Sequence, residues 1–166
     1  MGSGKSTLGR WLAKRLEYEF VDMDDLIENR EGMTISDIFA TKGEAEFRLI
    51  EQQVIESLTS YENAVIATGG GAPCFFNNAE RLNELGITIY LKITPHVLVD
   101  RLRGATHTRP ILANKSEKEI FNFISEKLTE REPFYNKAKI IADANNLENE
   151  MYITIIEGYK GAHEDR

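Results

Sequence analysis

Residues 1–7 read Met-Gly-Ser-Gly-Lys-Ser-Thr, which is most of a phosphate-binding P-loop. The full pattern is Gly, four residues, then Gly-Lys-Ser/Thr, set between a strand and a helix. Gly2 and Gly4 have no side chains, so backbone N–H groups can close around phosphate oxygens. Lys5 adds a cation for the β- and γ-phosphates, and Ser6 offers a hydroxyl to Mg²⁺. Leu8, Trp11, Leu12 and Leu16 are apolar at helical spacing, so Thr7–Leu16 reads as the helix whose positive N-terminus faces the anion. A Gly/Ser-rich arm would not explain why Lys5 and Ser6 stand just before an amphipathic helix. The first Gly of the pattern falls two residues upstream of Met1, and the feeding strand falls before that. A form starting roughly ten residues earlier is expected to carry an apolar strand of about 5–6 residues and then that Gly. Without that interior strand the chain is expected to be poorly stable and weakly active.

The 166 residues suffice for one domain with a real core, and 42% apolar content excludes wholesale disorder. Apolar runs such as Ile87–Leu91 are too short to span a membrane, and no signal-peptide pattern precedes the loop. Cys74 is the only cysteine, which rules out an internal disulfide and suits a cytoplasmic protein. The net charge of −7 argues against broad nucleic-acid binding. Anionic ligands would then need a few cations converging in one cleft. His96, His107 and His163 are scattered and make no metal-ligand spacing with Cys74, so any metal should be Mg²⁺ arriving with a nucleotide.

Helical and extended stretches alternate, which predicts an α/β fold with a parallel sheet. Strands are expected at Glu19–Val21, Ala64–Thr68, Thr88–Lys92 and Ile140–Ala142. Helices are expected at Asp25–Arg30, Thr34–Phe39, Glu44–Leu58, Asn78–Leu85, Pro95–Leu102 and Ser116–Glu130. Phe47, Ile50, Val54 and Leu58 mark the buried face of the longest, and Ser116 with Glu119 forms a capping box. A polar loop runs from about Gly104 to Lys115, and the polar tail from residue 146 carries only a weak helical pattern.

Candidate site residues fall at strand ends, where open α/β sheets bind ligands. Asp22 and Asp24 stand one apart after the first strand, and in a strand-like segment they would point the same way. Phosphoryl transfer needs one carboxylate near Mg²⁺ and one on the attacking hydroxyl. Asp25 extends the acidic run, so an ordinary acidic loop is the competing reading. Gly69, Gly70 and Gly71 follow the second strand, as a flexible turn or as bare backbone touched by a ligand. Arg109 is either a solvated loop cation or a charge that closes over the transferring phosphate. Arg48 and Arg131 are either surface residues or guanidiniums suited to two-point capture of a carboxylate. Cys74 reads as a packing residue, since no histidine lies near it in sequence.

In order, the motifs are Gly-Ser-Gly-Lys-Ser-Thr, Asp22-x-Asp24, Gly43-Glu44-x-x-Phe47-Arg48-x-x-Glu51, the triple glycine, Arg109-Pro110-Ile111-Leu112 and Arg131-x-Pro133-Phe134-Tyr135. Together they resemble the shikimate kinase family from Gly2 to about Asn146. The resemblance implies ATP-dependent phosphorylation of the 3-hydroxyl of shikimate on the way to chorismate. It also implies a nucleoside-monophosphate-kinase-like P-loop sandwich of strand order 2-3-1-4-5, with strand 1 largely missing here. It places a substrate-binding insertion at about 25–58 and a lid at about 104–116 of a single domain. ATP would be held by Gly2, Ser3, Gly4, Lys5, Ser6, Thr7 and Arg109, with Asn145 and Asn146 near adenine. Ser6 and Asp22 would serve Mg²⁺, and Lys5, Asp24 and Arg109 would carry catalysis. Asp24, Arg48, Arg131 and Gly69–Gly71 would meet shikimate. The expected partners are ATP and shikimate, with no nucleic acid or membrane, and the expected state is a monomer. Gluconate kinase, another small-molecule P-loop kinase and a catalytically impaired nucleotide-binding relative are the competing readings.

Overall fold

Two left-handed glycines open the fold. The structure, a computed structural model, describes residues 2–103, 116–146 and 148–164. Gly2 has φ 77° and Gly4 has φ 83°, values that a side chain would strain. From Gly4 the chain enters α1 (Lys5–Leu16), so Lys5 and Ser6 occupy its first turn rather than preceding it.

β1 (Glu19–Asp22) pairs in parallel with β2 (Ala64–Ala67), in register from Glu19↔Ala64 to Asp22↔Ala67. Parallel strands need a crossover. Here it is α2 (Met23–Glu31) followed by α3 (Ile35–Ser57). β3 (Ile89–Lys92) pairs in parallel with β4 (Ile140–Asp143), in register from Ile89↔Ile140 to Lys92↔Asp143. Between them run α5 (Pro95–Arg103) and α6 (Glu117–Tyr135). α4 (Asn78–Leu85) joins the two pairs, and α7 (Asn149–Glu164) follows β4. The described strands thus form two parallel pairs. No strand of the described residues stands between the pairs. A cavity of about 550 Å³ lies there, walled by β2, β3, Leu8 and Leu12 of α1, and Leu82 of α4.

Four further helices differ from the sequence expectation. α2 begins at Met23, because the Asp22 side chain caps it by accepting the Asp24 N–H. Asp24 therefore lies in a first helical turn, and not in a strand-like segment beside Asp22. The two helices expected on either side of Gly43 follow one another directly across a kink there (φ 80°, ψ 173°). α6 has the expected capping box at Ser116 and Glu119 but runs through Pro133 to Tyr135. The tail forms a 16-residue helix, α7, in place of a weak pattern. Tyr152 and Ile156 give it a buried face that packs with Leu12 of α1 and Ala142 of β4.

The core has three parts. Met23, Ile27, Ile38 and Ile55 are fully buried between α2 and α3. Val99, Leu102, Ile120 and Ile124 join α5 to α6, and the α1–α7 cluster completes the set. Among the described residues no helix is long and apolar enough to cross a membrane.

Candidate active site

Asp22 ends β1 and uses both carboxylate oxygens. Oδ1 accepts the Asp24 backbone N–H at 3.1 Å, and Oδ2 accepts the Ser6 hydroxyl at 2.9 Å. The second bond ties the first turn of α1 to the end of β1, so the P-loop serine and this carboxylate sit side by side as expected. Both are hard oxygen donors. Among the described residues no group of three or more His, Cys, Asp or Glu could hold a metal alone. A pair of oxygens fits Mg²⁺, which keeps waters and phosphate oxygens as its other ligands.

Asp24 is more confined. Burial pushes its carboxyl above the usual range; Lys5 pulls it back, while Asp22, Glu28 and Asp25 add repulsion. The P-loop lysine and this acid are therefore neighbours. A Cβ built on Gly69 would stand 3.1 Å from Glu51 Oε1 and 3.3 Å from Asp24 Oδ1. Two carboxylates thus converge over one bare backbone position.

Gly71 plays the same part for a cation. Its Cβ would stand 2.7 Å from Arg48 Nη1 and 2.9 Å from Nη2, so a side chain there would force the guanidinium to shift. The triple glycine follows β2 with no left-handed φ at any of its three positions. Two of its residues are glycine for space: the site's own side chains lie against the backbone. Asn78, 1% exposed, donates to the Ala72 carbonyl at 2.9 Å and pins the turn that follows.

Arg48 projects from α3 and is 8% exposed. Its Nη1 donates to Glu51 at 2.8 Å and its Nη2 to Glu44 at 3.0 Å. The Phe75 ring lies 4.0 Å from the guanidinium carbon. Its Nε is buried without a partner. Glu51 is 1% exposed. Burial pushes its carboxyl up, against the pull of Arg48 and, more weakly, Arg131. Burial likewise raises the Cys74 thiol, with Arg131 and Arg48 opposing. Both arginines thus bear on Glu51 and Cys74, so α3 and α6 bring them to one place. A raised thiol is a poor nucleophile, in keeping with Cys74 as a packing residue.

Glu51 carried no role in the sequence reading, although it was visible there. It lies four residues after Phe47 and three before Val54, which puts a carboxylate on the buried face of α3. Tyr135 was also missed. Its hydroxyl donates to the Gly70 carbonyl at 2.6 Å, across 65 residues of sequence.

The nucleotide side is built differently. Arg101 donates to the carbonyls of Ser3 at 3.2 Å and Ala144 at 3.1 Å, bridging the P-loop and the end of β4. Asn145 accepts the Thr94 N–H at 2.9 Å and donates to Asp143 at 2.7 Å. Its side chain thereby joins the ends of β3 and β4, while Asn146 is exposed. Thr7 lies in the first turn of α1. Arg109 and all but the last residue of the expected lid at about 104–116 lie outside the described residues.

Known proteins resemble this chain over most of its length. The shikimate kinase family profile matches residues 1–159. A shikimate kinase of Phocaeicola vulgatus is 44% identical over 153 residues, spanning 92% of this chain and 87% of the relative. The crystal structure of a Bacteroides thetaiotaomicron shikimate kinase superposes with a TM-score of 0.88 at 41% identity, covering 95% of this chain and 92% of that one. A shikimate kinase from Acinetobacter baumannii, solved in complex with shikimate, gives 0.81 at 34% identity, covering 96% and 90%.

Proposed function

The chain belongs to the shikimate kinase family, and from that premise we propose how its site moves the γ-phosphoryl group of ATP to the 3-hydroxyl of shikimate. The enzyme is a phosphotransferase acting on an alcohol. The reading of its residues rests on one observation above the others. Asp24 over Gly69 and Arg48 over Gly71 set an acid and a guanidinium across two residues of bare backbone, with Lys5 beside the acid. That spacing suits a small ligand carrying both a hydroxyl and a carboxylate.

Phosphoryl transfer leaves the protein mainly positioning and charge stabilisation. The left-handed Gly2 and Gly4 turn the loop around the phosphates, and Lys5 neutralises their charge. Ser6 and Asp22 would hold Mg²⁺, which supplies further neutralisation when bound with ATP. Arg48 and Arg131 hold the shikimate carboxylate, and the backbone of Gly70 meets the ring. Asp24 takes a hydrogen bond from the 3-hydroxyl and accepts its proton as the oxygen attacks. Its raised pKa makes it a better base than an exposed aspartate near neutral pH. Arg109 acts from the lid at 104–116, and helices α2 and α3 form the substrate-binding part at about 25–58. Asn146, with the backbone around Asn145, faces adenine.

We take the enzyme to be a cytoplasmic monomer that binds neither nucleic acid nor membrane. Its net charge of −7 and its single thiol support that setting. The deciding experiment is a coupled ADP-release assay with shikimate, gluconate, AMP and CMP. ADP release should require shikimate and Mg²⁺. Comparable turnover of gluconate would remove the substrate assignment.

A further inference from the structure

Neighbouring side chains crowd positions 69 and 71, and with glycine at all three positions the peptide between them has no side chains of its own to hold it. Three consecutive glycines have the widest choice of backbone conformation of any tripeptide. A substrate contact made through that backbone is worth little unless the peptide has one orientation before the substrate arrives. Packing cannot supply that order here, because Asp24, Glu51 and Arg48 lie where a Cβ would go.

One side chain reaches the segment from elsewhere. The Tyr135 hydroxyl donates to the Gly70 carbonyl at 2.6 Å. Its ring is held against Tyr90 of β3, with centroids 5.0 Å apart. Tyr135 stands four residues after Arg131 on α6, so the two share a helix face. Resting on the shikimate reading above, we propose that Tyr135 is a positioning residue that fixes the Gly70 peptide plane for the acceptor. A trans peptide is planar, with its C=O and N–H on opposite sides. Anchoring the Gly70 oxygen on Tyr135 therefore turns the Gly71 N–H away from α6. The same helical turn delivers the carboxylate-binding Arg131 and the clamp on the glycine floor, so the two halves of the acceptor site move as one. Burial raises the phenol pKa, which keeps the donor protonated at neutral pH.

The test is Tyr135→Phe, which removes one oxygen and keeps the ring on Tyr90. KM for shikimate should rise roughly tenfold, the scale of a buried carbonyl left unpaired, with KM for ATP within about twofold. Tyr90→Phe removes the neighbouring hydroxyl and should leave both KM values unchanged. If Tyr135→Phe raises both KM values alike, or only lowers the unfolding temperature, the residue is merely structural and the proposal fails. If wild type turns over shikimate and Tyr135→Phe shows a normal KM, the proposal fails while the functional reading stands. If wild type does not use shikimate, the functional reading itself fails. The unaltered protein supplies a second reading should the variant not fold. In glycine-labelled wild type, a shikimate titration should move the Gly70 and Gly71 amide resonances, and unmoved resonances overturn the proposal.

Discussion

The pocket proposed for the acceptor and the pocket proposed for the nucleotide are built on opposite plans. The proposed acceptor pocket keeps its charges buried. Glu51 and Arg48 are 1% and 8% exposed, and each is the other's partner. The nucleotide pocket is backbone and half-open surface: left-handed glycines, the bridging Arg101 and the Asn145 link between β3 and β4. The difference follows from what each ligand brings. ATP carries several charges of its own and a metal, so the protein need only supply donors in the right places. Shikimate carries one carboxylate and neutral hydroxyls. To activate one hydroxyl, the protein must hold its own charges away from water, where they act strongly and are expensive to leave unpaired.

The contrast breaks or sharpens on four substitutions. Glu51→Ala should have the largest effect, because it leaves the Arg48 guanidinium buried with only the exposed Glu44 as an ion-pair partner. The expected loss is about 3–5 kcal/mol of stability, read by denaturant unfolding. A normal unfolding curve would mean that the pocket does not keep its charges buried.

Asp24→Asn should lower kcat by roughly 10²-fold or more while ATP binding survives. It should also stabilise the fold at pH 7. The folded pKa of Asp24 is raised above the ordinary 3.8, so the folded state binds the extra proton. Stability from this group is therefore present at low pH and lost as pH rises from about 3.8 through the raised value. Asparagine removes that loss. The gain in unfolding temperature should shrink as pH falls towards the ordinary value, and a gain that is constant with pH would contradict the desolvation account.

Arg131→Ala should weaken shikimate binding by about 1.5–3 kcal/mol, the scale of a hydrogen bond to a charged group, with ATP affinity little changed. Equal loss of both ligands by calorimetry would place Arg131 outside the acceptor pocket. Arg101→Ala should have the smallest effect, weakening ATP by about 0.5–1.5 kcal/mol with shikimate binding intact. A collapse in stability larger than that of Glu51→Ala would invert the comparison.

Local spacing made the P-loop, Asp22, Asp24, Arg48 and the triple glycine legible, since each motif is short and its chemistry depends on neighbours in the chain. The sequence pattern also placed all four strands among the described residues to within about a residue at each end, inside the usual boundary error. Long-range facts were out of reach. Nothing in Gly69-Gly70-Gly71 says that side chains from α2 and α3 occupy the space, or that Tyr135 clamps the middle peptide. The sequence pattern ends helix α6 at Glu130, whereas the helix runs through Pro133 to Tyr135. Its last turn is held by contacts remote in sequence, Tyr135 on Gly70 and on Tyr90. The tail looked weak for a related reason. The apolar face of α7 becomes evident only against Leu12 and Ala142, which come from elsewhere in the chain.

The side-chain crowding at Gly71 also bears on which sequences the fold can accept. Any other residue there would drive a carbon to within 2.7 Å of Arg48. Position 71 therefore resists drift, because any other residue there forces the Arg48 guanidinium to shift. Gly158 and Gly161 have nothing within 4 Å and lie inside α7, where alanine is the better helix former by about 1 kcal/mol. A library that randomises every glycine and selects for growth on the enzyme's product would sort them. Position 71 would return enriched in glycine, while 158 and 161 would fill with alanine and other helix formers.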